Sequence, residues 1–359
     1  MPWPSGHSPS GGSGTIVVQA LPVEKTRSAL TSRCSSATGE QSSFSDCAIN
    51  SDKCCPKQGG KPICPETLHT LRHQDITMRH GVTKFSFQQV DVFSSKALLG
   101  NPLAVVIGAD SLTASEMAAF ARWTNLSETT FLLQPRSGDA DYRVRIFTPV
   151  AELPFAGHPT LGSCHTWLSS GGRPKSGEIV QECEAGLIHI RRNNGRLSFE
   201  APELRRSGPV ELDTLTRAIK GLRLTSDDIV DANWVDNGPG WLAVQLRSRA
   251  DVLALRPDFA ILSGLRVGVV APWDPAKDGR EADFEVRAFS AAGFEDPVTG
   301  SLNAGIAQWL IGNGIASSSY IASQGTVLGR EGRVHVELVE DRIWVGGDVT
   351  TCIEGVAAL

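Results

Sequence analysis

The chain has 359 residues, 41% of them hydrophobic and 20% charged, with a formal net charge of −5 at pH 7. No apolar run reaches the roughly 18 residues of a membrane helix, which argues against a helical membrane protein. The length allows two domains of ordinary size. Residues 1–84 carry nine Lys/Arg and six Asp/Glu, whereas residues 85–359 carry 25 and 33. This acidic body argues against nucleic acid as a partner.

The first 84 residues do not have the composition of a fold. They are rich in Ser, Gly, Thr and Pro and show no sustained hydrophobic period, which predicts a disordered or mis-annotated extension over 1–84. Lys25, Arg27 and Arg33 leave a transit peptide open as an alternative. A zinc site there is disfavoured because its five cysteines include no paired C-x-x-C spacing. Three scattered cysteines in the body are typical of reduced thiols and predict a cytoplasmic protein.

From residue 85 onward, the hydrophobic pattern predicts strands that alternate with short helices. Thr113 or Ser111, with Glu116 in the first turn, predicts a capped helix that ends at Asn125. Further short helices are expected at 213–220, 225–229 and 259–263. Strands are predicted at 85–93, 103–107, 129–133, 142–147, 178–183, 186–192, 196–200, 241–246, 267–270, 283–289, 327–328, 333–338 and 342–345.

Residues 294–311 predict a buried helix with a polar N-terminus. Asp296 precedes a proline, Gly300-Ser301 follows, and the rest of the segment is small and apolar nearly all round, which is typical of a buried helix. Such an N-terminus offers free amide N–H groups and the positive end of a dipole, which suit a small anionic ligand.

Residues 148–168 have the same pattern. Gly157 would let a ligand approach the backbone, His158 is the titratable group, and Pro159 is expected in the first helical turn. Two such helices predict an α+β fold in which a curved sheet wraps around a central buried helix, built twice. The predicted halves are 85–204 and 205–359, with the option that the last strands return to the first half.

Several short, unusual sequence motifs occur between residues 85 and 359. In type and in order they resemble motifs of the phenazine-biosynthesis PhzF-like family. The resemblance covers roughly residues 85–359. It implies a diaminopimelate-epimerase-like fold of two pseudo-symmetric halves with the active site between them, and a homodimeric isomerase without metal or cofactor. The blocks are Gly100-Asn101-Pro102, Asn125-Leu126-Ser127-Glu128, the segments 148–162 and 295–301, Gln324-Gly325 with Gly329-Arg330, and Val345-Gly346-Gly347.

By this resemblance, Glu128 falls on the catalytic carboxylate of the family. A hydrogen shift needs one group that takes a proton and returns it to another carbon, and a partly buried carboxyl suits that role. From sequence alone, a surface acid at the start of a strand is the alternative for Glu128. The expected function is therefore a proton or hydrogen shift on a small cyclic or amino-acid-like carboxylate.

The resemblance also places substrate-binding residues. His158, Asp296 and Ser301 fall on positions that line the pocket, and Gly157 and Gly300 leave room for a carboxylate against backbone amides. His158 is expected to stay neutral, because a helix dipole disfavours the imidazolium ion. Structural alternatives stay open, since His158 could be a core histidine and both Asp296 and Ser301 could be helix caps.

Other functions remain as alternatives. The same fold hosts racemases that use two opposed thiols, but Ala156 precedes Gly157 and Cys164 is expected in the helix interior, so the required thiolate is missing. A protein that binds a small carboxylate without turnover is a second alternative. A metal hydrolase is disfavoured because no H-E-x-x-H spacing occurs.

Overall fold

The structure is a computed structural model that describes residues 83–359. The predicted extension over 1–84 lies outside these residues except for Thr83 and Lys84, and Lys84 already belongs to the first strand.

Within this part of the chain the strands are β1 (Lys84–Val92), β2 (Asn101–Ile107), β3 (Thr129–Leu133), β4 (Tyr142–Phe147), β5 (Glu152–Leu153), β6 (Ile179–Cys183), β7 (Gly186–Asn193), β8 (Arg196–Glu200), β9 (Arg206–Pro209), β10 (Ile229–Asp236), β11 (Trp241–Leu246), β12 (Arg266–Pro272), β13 (Phe284–Phe289), β14 (Glu295–Asp296), β15 (Ser319–Gln324), β16 (Gly332–Val339), β17 (Arg342–Gly347) and β18 (Val349–Ala358).

Six α-helices lie between the strands in the same range. None of them is long and apolar enough to cross a membrane. The predicted cap of the first helix is confirmed, because Thr113 and Glu116 form a reciprocal capping box and Asn125 ends the helix in the left-handed conformation. The helices are α1 (Ala114–Thr124), α2 (Gly157–Ser169), α3 (Leu212–Leu222), α4 (Arg249–Ala254), α5 (Phe259–Leu262) and α6 (Gly300–Gly312).

The strands pair in one order that occurs twice along the chain. β1 is antiparallel to β2, β2 is parallel to β3, and β4 is antiparallel to β3 and β5 and parallel to β6. The strands β10 to β15 repeat these relations one for one. The strands β8 and β17 pair with each other and join the two series. The predicted sheet-rich fold of mixed α and β elements is confirmed.

Two strands cross from one series to the other. β9 follows β8 in the chain but pairs with β10, whereas β18 follows β17 but pairs with β1 along almost its whole length. The backbone groups of Thr83 and Leu359 also bond to each other in both directions, at 2.9 Å. The strand β1 is therefore held by residues 349–359.

The helices α2 and α6 are buried, as their apolar sequences predicted. α2 packs on β1, β2 and β8, and α6 packs on β10, β11 and β17. Glycines allow this close packing, because a β-carbon at Gly162 would lie 2.5 Å from Leu103 and one at Gly305 would lie 2.2 Å from the carbonyl oxygen of Val235. The largest apolar core surrounds both helices, while smaller cores lie under α1 and under α3–α5.

Several predicted elements were wrong or missing. The piece predicted as helix at 225–229 is only a 3₁₀ turn, Ser226–Asp228, and the strand β10 begins at Ile229. The strand predicted at 327–328 is also a 3₁₀ turn, because Gly325 and Gly329 on either side adopt positive φ. The strands β9, β10, β15 and β18 were missed, since they lack a clear apolar alternation: β9, β10 and β18 are largely exposed or half-buried, and β15 buries polar residues. The two-residue strands β5 and β14 and the six-residue helix α4 were also missed, because they are too short to show a period.

Matching ion pairs hold the two short strands that lead into α2 and α6. Arg145 of β4 binds Glu152 of β5 through two nitrogen–oxygen contacts, and Arg287 of β13 binds Glu295 of β14 in the same way. The side chains of the second pair are only 3% and 8% exposed, against 26% and 31% for the first pair. The same contact is therefore buried in one place and half-buried in the other.

This difference predicts unequal effects of one substitution. Glu295→Gln should lower the free energy of unfolding by about 3 to 5 kcal/mol, because it leaves the buried Arg287 charge without its partner. Glu152→Gln should lower it by at most about 1 kcal/mol, since water reaches Arg145. Denaturant unfolding of both variants measures the difference, and equal losses would contradict the assignment of burial as the cause.

Candidate functional site

Four loops or element ends bring the predicted site residues to one place. Glu128 directly precedes β3, His158 is the second residue of α2, Asp296 ends β14, and Ser301 is the second residue of α6. His158 Nε2 lies 3.4 Å from Glu128 Oε2. Asn101, the first residue of β2, bridges His158 Nδ1 and Asp296 Oδ1 at 3.5 and 3.0 Å. The sequence did not assign a role to Asn101, although its block Gly100-Asn101-Pro102 stood out as a motif.

The N-termini of α2 and α6 touch through two glycines. A β-carbon added to Gly157 would lie 3.0 Å from the Cα atom of Gly300, and one added to Gly300 would lie 3.0 Å from the Cα atom of Gly157. Phe199 closes the same contact from one side, at 2.8 Å from that added atom on Gly157. The two helices thus point their positive ends at one region.

Neither helix N-terminus is capped by a side chain. The N-cap residues are Ala156 and Thr299, and neither makes a side-chain hydrogen bond to its helix. Asp296 therefore does not cap α6, and the structural alternative for this residue is wrong. Ser301 lies inside the helix, where its hydroxyl accepts a hydrogen bond from Trp241 Nε1 at 3.1 Å. Uncapped amides at two facing helix ends can bind an anion.

Glu128 has the properties of a group that gains and loses a proton near neutral pH. Its side chain is 17% exposed, and its Oε2 is buried without a directed hydrogen bond in the described part of the chain. Burial, and next the charge of Asp296, raise the pKa of Glu128 to about 8. The surface-acid alternative for Glu128 does not fit this position.

His158 is neutral at physiological pH, as its sequence position suggested. Burial lowers the pKa of His158 to about 3, so desolvation is the main cause, whereas the sequence argument had relied on the helix dipole. The Nε2 atom of His158 is buried and lacks an aligned hydrogen bond among the described residues. A neutral imidazole can donate through one nitrogen and accept through the other.

Asp296 lies in a dense polar network. Burial raises its pKa to about 6, although hydrogen bonds from the Thr299 hydroxyl and from the Asn101 amide oppose this shift. Gln324 Nε2 donates to the backbone oxygen of Asp296 and to the Thr299 hydroxyl, both at 3.1 Å. Asn303 Nδ2 in turn donates to Gln324 Oε1 at 2.8 Å. Of the two amide side chains Gln324 and Asn303, Gln324 had a sequence signal as part of a family-like block, whereas Asn303 lies inside the largely apolar helix α6 and had none.

Residues 83–359 contain neither a reactive thiol at the N-termini of α2 and α6, as a racemase would need, nor a metal-binding cluster, as a metal hydrolase would need. Cys164 is fully buried in the interior of α2, and burial raises the pKa of its thiol to about 12, so it cannot serve as the thiolate of a racemase. No group of three or more His, Cys, Asp or Glu side chains in residues 83–359 could hold a metal ion. A cavity of about 220 Å³ is lined by His165 and Arg192, among others. A second cavity, of about 110 Å³, is lined by residues that include His335 and Trp344. None of the predicted site residues lines either cavity.

Comparison with known proteins shows the family to which this chain belongs. A family model described as phenazine biosynthesis-like protein matches residues 90–355. The chain belongs to the phenazine biosynthesis-like family, PhzC-PhzF. Relatives named as isomerases cover large parts of the chain, and this family member is accordingly a PhzF-like isomerase.

Individual relatives support the same family. Antisense-enhancing sequence 1 of Schizosaccharomyces pombe is 39% identical over 298 residues, which cover 76% of this chain and 99% of that protein. Trans-2,3-dihydro-3-hydroxyanthranilate isomerase of Pseudomonas chlororaphis is 40% identical over 177 residues, but the match covers only 48% of this chain and 62% of that enzyme. A PhzF-family crystal structure from Enterococcus faecalis superimposes with a TM-score of 0.65 at 26% identity, over 77% of this chain and all of that one.

The glycine contact between the helices makes a testable prediction for this PhzF-like protein. Gly300→Ala should lower the free energy of unfolding by about 1 to 3 kcal/mol, because the added methyl group must push α2 and α6 apart. Gly312→Ala at the other end of α6 is the matched control: nothing lies within 4 Å of its added β-carbon. That variant should be neutral or stabilised by up to about 1 kcal/mol. Denaturant unfolding compares the two, and an unaffected Gly300→Ala would show that the helix ends are not in contact.

Proposed function

We propose that this PhzF-like isomerase moves a hydrogen within a small cyclic or amino-acid-like carboxylate, and that Glu128 takes the proton and returns it. One observation carries the proposal: a carboxyl group whose pKa is raised to about 8 faces a neutral histidine beside two converging helix N-termini. A group with this pKa exists in both protonation states near neutral pH. The same side chain can therefore act first as base and then as acid.

In the proposed reaction, ionised Glu128 removes a proton from a carbon next to a conjugated or carboxylate-bearing system. The electron pair that held the proton shifts into that system, and the carbon to which it delocalises then accepts the proton back from the carboxyl group. No electrons leave the substrate, so side chains alone supply the chemistry and the proposal includes no cofactor. The developing negative charge would be stabilised by hydrogen-bond donors that are already in place.

The donors that hold the substrate come from both helices. The uncapped amides beside Gly157 and Gly300 would bind the substrate carboxylate. The two glycines are needed for the helix contact itself, because their β-carbon positions are filled by the facing backbone and by Phe199. Ser301 presents a hydroxyl that Trp241 orients. His158 and Asp296, which both contact the Asn101 amide nitrogen, would hydrogen-bond the polar groups around the reacting carbon atoms.

The proposal also includes two pseudo-symmetric halves, 85–204 and 205–359, each with a curved sheet around α2 or α6 in a diaminopimelate-epimerase-like arrangement. The repeated order of strand pairings supports this division. The ion pairs Arg145–Glu152 and Arg287–Glu295 occupy equivalent places before the two helices and support it further. The crossing strands β9 and β18 would then complete the half opposite to the one they follow.

We propose a class of substrate for the protein, together with its compartment and its oligomeric state. The relative from Pseudomonas chlororaphis acts, by its name, on trans-2,3-dihydro-3-hydroxyanthranilate, and a cyclic amino-acid-like carboxylate of that kind is the proposed substrate class here. We further propose a cytoplasmic homodimer with no nucleic-acid or membrane partner. The excess of 33 acidic over 25 basic residues in 85–359 disfavours an anionic partner surface.

Glu128→Gln tests the proposed acid/base role. The variant keeps the size and hydrogen bonding of the side chain but cannot carry the proton, so turnover should fall by at least about 10² to 10⁴-fold while ligand affinity changes little. Screening of cyclic and amino-acid carboxylates for deuterium uptake from heavy water identifies the substrate for this measurement.

Two controls separate the outcomes of that test. Glu354→Gln changes an exposed acid on β18 and should retain full exchange. Normal exchange in Glu128→Gln would move the base to Asp296 or His158. A carboxylate that binds to the wild-type protein without any exchange would instead favour a binding protein that lacks turnover.

The pKa of Glu128 predicts a pH profile. If the ionised form starts the reaction, kcat/KM should rise with pH and level off above about 8. Asp296→Asn removes the negative charge that helps to raise the pKa of Glu128, so the midpoint of this rise should move to lower pH, although substrate binding also weakens. Steady-state kinetics between about pH 5 and 10 give both midpoints. An unchanged midpoint would show that the charge of Asp296 does not act on the base.

A further inference from the structure

Asn101 is fully buried at the start of β2, and its amide nitrogen faces three groups at once. Nδ2 lies 2.9 Å from the backbone oxygen of Val298 and 3.0 Å from Asp296 Oδ1. The third neighbour is His158 Nδ1, at 3.5 Å. Asn101 therefore connects the first-series strand β2 to the segment before α6 and to the histidine of α2.

Two of these neighbours determine which way the amide points. The carbonyl oxygen of Val298 can only accept a hydrogen bond, and so can the carboxylate of Asp296 once it is ionised. The two N–H bonds of the Asn101 amide satisfy them both. Reversing the amide would turn its oxygen toward two other oxygen atoms, which would repel it, so the NH₂ group must be the one that also faces His158.

This orientation restricts where His158 carries its proton. An amide nitrogen has no free electron pair with which to accept a hydrogen bond. An N–H bond on His158 Nδ1 would point toward another N–H group at 3.5 Å, whereas a bare Nδ1 faces it favourably. Because the buried imidazole is neutral, one nitrogen is bare and the other is protonated.

We propose that Asn101 is a positioning residue that holds neutral His158 as the tautomer protonated on Nε2. His158 then presents a hydrogen-bond donor, not a base, toward Glu128 Oε2 and toward a ligand. The proton that Glu128 carries in its acid form is consequently on Oε1, which makes Oε1 the oxygen that exchanges a proton with substrate. Only this last consequence rests on the proposed function; the tautomer follows from the contacts of Asn101 and the burial of the neutral imidazole.

Nuclear magnetic resonance of the full chain, with ¹⁵N-labelled histidine and no ligand, tests the tautomer directly. Long-range proton–nitrogen spectra distinguish a protonated ring nitrogen from a bare one. The chain has eight histidines, so the spectrum of His158→Gln identifies the signals of His158 by their loss. The expected result at neutral pH is a bare Nδ1 and a protonated Nε2. A protonated Nδ1 in the wild-type protein would overturn the proposal.

Two variants test whether Asn101 is the cause. Asn101→Leu keeps the branched shape and the number of side-chain heavy atoms but removes the N–H donors, so His158 should change from a single form to a mixture of tautomers, with its two ¹⁵N shifts moving toward each other. Thr299→Val is the matched control, because it removes a different donor to Asp296 and leaves the Asn101 amide in place. It should retain the single Nε2–H form. An unchanged His158 signal in Asn101→Leu would overturn the role of Asn101.

These measurements are independent of turnover. If Asn101→Leu does not fold, the wild-type spectrum still decides the tautomer, and Thr299→Val still reports whether the Asp296 network contributes to it. An Nε2–H histidine together with full deuterium exchange in Glu128→Gln would reject the proposed function and keep this inference. A His158 protonated on Nδ1, together with a loss of exchange in Glu128→Gln, would reject the inference and keep the proposed function.

Discussion

The contact between Gly157 and Gly300 is the constraint on which the site depends. Two buried helices can meet end to end only where neither backbone carries a β-carbon, and the 3.0 Å approach at both positions leaves no space for one. Because the helices are fixed there, the residues that follow each glycine, His158 and Ser301, are placed next to one another. Each side chain gains its role from the position of its helix, and the sheets hold that position through packing on all sides of the helix.

The segments that enter the two helices share a pattern but differ in chemistry. Glu152 to His158 and Glu295 to Ser301 both read Glu-x-Pro-x-x-Gly followed by a polar residue, and both begin with an ion-paired glutamate. The two series of strands can be aligned by their register. Thr129 lies opposite Phe147 in the first series, and Val267 lies opposite Phe289 in the second. The residues before them, Glu128 and Arg266, therefore occupy equivalent positions. The acid therefore occurs on one side only. In the proposed reaction the proton would leave and return on the same face of the substrate, in contrast to a racemase with opposed groups.

Sequence predicted those parts of the molecule that depend on local pattern. The apolar composition around Gly162 and Gly305 predicted buried helices, and Thr113 with Glu116 predicted a cap, because both signals lie within a few residues. Glu128 came from a family resemblance, since nothing local distinguishes it from a surface acid, whereas the pattern at the two helix N-termini had already singled out His158, Asp296 and Ser301. Asn303 could not be found, because its partner Gln324 is distant in sequence. The strand β18 was missed for a related reason: its pairing with β1 is entirely non-local.

The pairing of β18 with β1 has a consequence for the order in which the chain can fold during synthesis. The ribosome produces β1 long before β18, so the edge of β1 that β18 covers stays open until residues 349–358 have left the exit tunnel. Contacts between strands so far apart in sequence form slowly, because a long loop must close before they stabilise anything. A nascent chain would therefore expose this edge of β1 until β18 has emerged, which makes it a target for chaperones that bind extended segments.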